Sequence, residues 1–135
     1  MVKRNEVMNL LVNVCPSFNE KWKEHLEDIW DRESNLILYT DFAEFARHLT
    51  SLAASESFQE LEAVFNEIEY LLQQGDPFVQ EAVMVGLLED FQNGLLNIGY
   101  EINLIEKYFK PETKKYWTSL TKFWNGEIPY IDNNQ

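Results

Sequence analysis

The chain has one cysteine and two histidines, and each scarcity removes a class of answer. With Cys15 alone no internal disulfide can form, and the composition suits a reducing cytosol. Cys15 also lacks any sequence-level partner for a thiolate mechanism, so it reads as a small buried side chain. His25 and His48 are too few for most metal centres. Glu44 and His48 share a helix face, but a di-iron pattern needs Glu-x-x-His twice and residue 47 is Arg. Neither a metal nor a cofactor is expected. A Walker loop, a dinucleotide fingerprint and a G-x-S-x-G elbow are all missing. The neighbours Glu89 and Asp90 diverge by about 100° on a helix, so they make no acid–base pair by themselves. No apolar run approaches the ~20 residues of a membrane span. Lys3 and Arg4 precede an apolar stretch cut by Asn9 and Asn13, with no small-residue cleavage site, so no signal peptide is expected. These absences predict a soluble, cytoplasmic, non-enzymatic protein.

The scarcest feature is positive charge in the middle of the chain. The net charge is -12, and between Arg47 and Lys107 there is no lysine or arginine. Eleven acids fall in that stretch: Glu56, Glu60, Glu62, Glu67, Glu69, Asp76, Glu81, Glu89, Asp90, Glu101 and Glu106. Like charges repel within a screening length of about 8 Å, and a surface shaped for solubility alone intersperses its signs. A single-sign block of this length implies a field that is used: it repels nucleic acid and anionic membrane and attracts a basic protein. The candidate docking residues are Glu60, Glu67, Glu81, Glu89 and Asp90. Tyr70, Phe91 and Tyr100 are the nearby aromatics from which an anchor would come. The lysines of the last segment, beside Tyr116, Trp117 and Trp124, do not amount to a nucleic-acid site, because the aromatic spacing turns those rings to the core.

What is present is helical periodicity. The run Asp76–Asn97 is organised as a central helix, with Asp76 as its cap and Pro77 in the first turn. No polar side chain occurs from Ala82 to Leu88, so other elements must enclose it, and Gly86 within it implies a closely approaching neighbour. Before it, Val7, Leu10, Leu11 and Val14 mark a first helix ended by Pro16. The pairs Ser17/Glu20 and Ser57/Glu60 have the spacing of capping boxes for the second and fourth helices. Trp22, Leu26, Ile29 and Trp30 stripe the second. Thr40 or Asp41 is expected to cap the third, with Leu36–Tyr39 either extended or its lead-in. Gly75 stops the fourth. Helical spacing resumes at Ile102, Ile105 and Phe109, and Pro111 opens a last helix with the stripe Tyr116, Trp117, Leu120, Phe123 and Trp124, ended by Gly126. The expectation is one all-α domain over residues 1–135, a bundle or short solenoid of antiparallel hairpins, with an irregular tail at 127–135.

The run Phe65, Ile68-Glu69, Leu72, Gly75-Asp76, Val79, Ala82, Val85-Gly86, Leu88-Glu89-Asp90 and Gln92-Asn93, with Phe42-Ala43 and Phe45-Ala46 before it, resembles a family of small acidic helical bacterial proteins. They are often encoded beside polymorphic or contact-dependent toxins, and the likeness spans about residues 17–97. The resemblance implies immunity: stoichiometric binding of a cognate toxin domain, which the acidic block suggests is basic, as a cationic nuclease would be. The alternative is a non-enzymatic helical adaptor or regulatory protein for a basic cellular partner.

Overall fold

Asp76 opens the central element as its sequence dictates. Its carboxylate accepts the backbone N–H of Val79 at 2.9 Å, and Pro77 takes the first helical position, where the missing N–H would have no partner anyway. The computed structural model describes residues 1–29 and 31–126; Trp30 and the tail 127–135, both assigned above from sequence, lie outside the described residues. The described residues fold as a single all-α domain: α1 (Arg4–Asn13), α2 (Asn19–Asp28), α3 (Ile37–Ala54), α4 (Phe58–Gln74), α5 (Pro77–Ala82), α6 (Glu89–Asn97) and α7 (Pro111–Trp124). None of these helices is long and apolar enough to cross a membrane. The chain start is tied to the α4–α5 corner: Val2 N–H donates to Gln74 O at 2.7 Å and its carbonyl accepts from Asp76 N–H at 2.9 Å.

The central run is continuous from α5 to α6 but it is not one regular helix, because Val83–Leu88 between them is π-helical. The i→i+5 bonding of a π turn takes up one extra residue. Glu81, Val85, Glu89 and Asn93 are consequently all half-buried at a four-residue repeat and form one stripe, while Val83, Met84, Gly86, Leu87 and Leu88 are buried. The neighbour implied by Gly86 is α3. A Cβ on Gly86 would stand 3.0 Å from Tyr39 Cδ1 and 3.4 Å from the Phe42 ring, and one on Gly94 would strike Thr50. The contacts advance in the same order on both partners, so α3 and the central run lie side by side and parallel. On the far side, Phe65, Phe91, Phe109 and Trp117 interlock, with Phe65–Phe109 and Phe109–Trp117 edge to face at 4.8 and 4.9 Å. Edge-to-face packing sets the positive ring edge against the negative face.

Several local expectations are corrected. Helix α3 begins at Ile37, so Thr40 and Asp41 lie within it, and Asp41 is buried instead of capping. Neither capping box forms. Helix α2 starts after a 3-10 turn, Pro16–Phe18, and neither Phe18 before α2 nor Ser57 before α4 makes a side-chain cap. Residues 102–108 make two 3-10 turns instead of a helix. Trp124, assigned to the aromatic stripe of α7, is 48% exposed, whereas Trp117 and Leu120 are fully buried.

Candidate functional site

The candidate docking residues divide between two elements. Glu60 and Glu67 stand seven residues apart on α4, hence on one face, with the exposed Tyr70 one turn further. Burial pushes the Glu67 carboxyl above the usual value. Glu81 and Glu89 lie on the half-buried stripe that the π turn aligns. Asp90 adjoins that stripe on the α3 side: burial and then the Glu89 charge raise its carboxyl, against the opposing pull of Arg47. Glu81 in turn adds to burial in raising the Tyr39 phenol. Of the aromatics, Tyr70 is 45% exposed, Tyr100 is half-buried, and Phe91 is wholly in the core. Phe91 is thereby removed as an anchor.

Glu69 belongs to the acidic block in sequence and to the core in space. Its carboxylate accepts Thr113 N–H and Thr113 Oγ1–H at 2.9 Å, Glu112 N–H at 3.1 Å and Gln73 Nε2–H at 2.9 Å. It therefore caps the N-terminus of α7 from a different helix, where a negative charge meets unpaired N–H groups and the positive dipole end. Burial raises its carboxyl, but the bonds from Thr113 and Glu112, joined by Gln73, outweigh that and hold it below the ordinary value.

Glu60 also turns inward. Its Oε1 accepts from Cys15 Sγ at 3.2 Å and from the Ser17 hydroxyl, and Ser17 Oγ lies 2.7 Å from His48 Nε2. Lys21 Nζ is 3.1 Å from His48 Nδ1. An ammonium has no acceptor capacity, so Nδ1 accepts and Nε2 carries the proton that it donates to Ser17. Burial, then Lys21, lowers the His48 pKa, with Glu60 pulling the other way, which agrees with a neutral ring. The result is a relay from Lys21 through His48 and Ser17 to Glu60, with Cys15 as a second donor. The thiol is pushed up to about 12 by burial and by its hydrogen bond and charge contact with Glu60, so it is protonated and a poor nucleophile as it stands. The same contacts explain why both capping boxes fail, since Ser17 and Glu60 satisfy each other across the fold.

Asp41, expected from the sequence as a helix cap, instead sits inside α3 as the centre of an ion-pair network. Only 1% exposed, it accepts Arg32 through both carboxylate oxygens at 3.0 and 2.8 Å and His25 Nε2 at 2.8 Å. Arg32 in turn covers the Trp22 ring at 5.4 Å. Beside this knot is a cleft of about 710 Å³ rimmed by Lys3, Arg4, Arg32, Glu33, Asp41 and Asp76, whose opposite charges balance.

A family described as a domain of unknown function, DUF7674, matches residues 8–125. The chain belongs to this family. The matched span of DUF7674 runs from α1 to the end of α7 and so contains the acidic stripe, the Glu69 cap and the Cys15–Ser17–His48–Glu60 relay. Comparison with curated proteins and with solved structures gives no match.

Proposed function

We propose that this DUF7674 protein is a non-catalytic, immunity-type protein that binds a basic protein toxin in the cytoplasm and blocks it one to one. The observation that carries the reading is the acidic stripe on the central run, where Glu81 and Glu89 are aligned by the π turn with Asp90 at their side, inside a stretch without lysine or arginine. Such a surface attracts a cationic domain and competes with the anionic substrate that domain would hold. The likeness of the 65–93 run to immunity-type proteins supports the same reading. Tyr70 and Glu67 on α4 supply a second, partly apolar contact area. Glu60, with its carboxylate turned to Cys15 and Ser17, is the weakest member of the set.

The direct variant test is charge reversal on the stripe. Glu81→Lys combined with Glu89→Lys is expected to slow association with the toxin by about tenfold or more at low salt, with circular dichroism checking that the variant is folded. Association rates equal to those of the unaltered protein would remove the stripe from the account.

A further inference from the structure

We infer that Cys15, His48 and Glu60 form a binding site for a divalent transition-metal ion, zinc above all. Three elements deliver these side chains: the link after α1, the middle of α3 and the first turn of α4. Their ligand atoms all lie within 4.8 Å of one another, and a tetrahedral zinc with arms of 2.0–2.3 Å needs them roughly 3.3–3.8 Å apart. Cys15 Sγ and Glu60 Oε1 stand 3.2 Å apart, within a few tenths of an ångström of the roughly 3.5 Å that a thiolate sulfur and a carboxylate oxygen take on a tetrahedral zinc. No lysine or arginine nitrogen among the described residues forms an ion pair with Glu60, so a buried thiol and a half-buried carboxylate converge without a cation between them.

The donor set selects the metal. A thiolate with an imidazole suits zinc and disfavours magnesium and calcium, which take oxygen ligands. Three protein ligands leave one position, and on its outer side Glu60 borders a cleft of about 570 Å³ lined by Val14, Pro16, Ser57 and Phe58. Such three-plus-one coordination is the open type of zinc site. The proton balance is simple. The thiol proton leaves to solvent as the sulfur–metal bond forms. His48 exchanges its Nε2 proton for one on Nδ1, which the exposed Lys21 vacates, so Nε2 becomes a ligand with no net proton lost from the ring. The Ser17 hydroxyl, released by His48, keeps its bond to the Glu60 carboxylate. The inference shares Glu60 with the docking set but uses none of Glu81, Glu89 and Asp90, so either reading can fail without the other.

The test is titration of the reduced, purified chain with cobalt(II), followed by displacement with zinc. The expected result is one cobalt per chain, with tetrahedral ligand-field bands and a thiolate-to-cobalt charge-transfer absorption, all abolished by one equivalent of zinc. Cys15→Ser should remove the charge-transfer absorption, and His48→Gln and Glu60→Gln should each weaken cobalt binding by at least about tenfold. Circular dichroism checks that each variant is folded. If Cys15→Ser does not fold, the other two variants carry the test through the same absorption. Absence of the charge-transfer band from the unaltered chain in excess cobalt overturns the inference, and so does unchanged affinity in both His48→Gln and Glu60→Gln.

Discussion

Asp41→Ala is expected to be among the most damaging single substitutions in the protein, costing about 3–5 kcal/mol of stability and lowering Tm by roughly 10 °C or more. The carboxylate is buried and serves two partners at once, His25 on α2 and Arg32 in the loop that follows. Its removal leaves His25 buried without its acceptor and frees Arg32 from the bidentate geometry that positions it over Trp22. The large term is the group left unpaired, not the net worth of the ion pair. Asp41→Asn should therefore cost nearly as much, because an amide of the same shape turns a donor toward one of the two donors it faces. Arg32→Met should cost less, since Arg32 is 36% exposed and Asp41 keeps His25. Thermal or urea unfolding of the three variants checks the order. Equal, small losses in all three would show that the network is a solvated surface feature.

Glu69→Ala is the second large expected effect, at about 2–4 kcal/mol, from the loss of charge-assisted bonds and the exposure of unpaired donors at the start of α7. Helix α7 carries Trp117 and Leu120 into the core, so loosening its first turn disturbs the aromatic cluster. The effect has a pH signature. The Glu69 carboxyl in the folded protein lies below its ordinary value of 4.5, so its contribution is complete above the unfolded value and is lost as pH falls through the folded one. The stability gap between the unaltered protein and Glu69→Gln should be constant near neutral pH and close progressively below about pH 4.5. A gap that stays open to pH 2 would mean that the charge of Glu69 contributes nothing and that shape alone matters.

The central run was legible because its signals are local. Asp76 and Pro77 fix a helix start through their own backbone chemistry, and a polar-free stretch around Gly86 has few other solutions than enclosure by a close neighbour. The capping boxes failed for the opposite reason. Ser17 and Glu60 each have the right local spacing, but each finds a better partner in the other, 43 residues away, and the local bond loses. No periodicity announces a cluster whose members stand at 15, 17, 48 and 60 on different elements. Two misses did have a signal. Glu69 follows Phe65 by four residues and precedes Leu72 by three, which is a core position of α4, and Asp41 stands four before Phe45 on the inner face of α3. An acid at a buried position of an apolar stripe points to a buried partner, and in both cases the structure supplies one. The π turn left no trace in the residue pattern except the four-residue repeat of Glu81, Val85, Glu89 and Asn93.

The central claim is that the acidic stripe serves to capture a basic toxin, and titration calorimetry with the product of the gene immediately upstream tests it most directly. The account predicts tight one-to-one binding that weakens as salt is raised from low to high, because exposed charges are screened over about 8 Å at physiological ionic strength, together with loss of that partner's toxicity on complex formation. Absence of binding at both salt concentrations would contradict it.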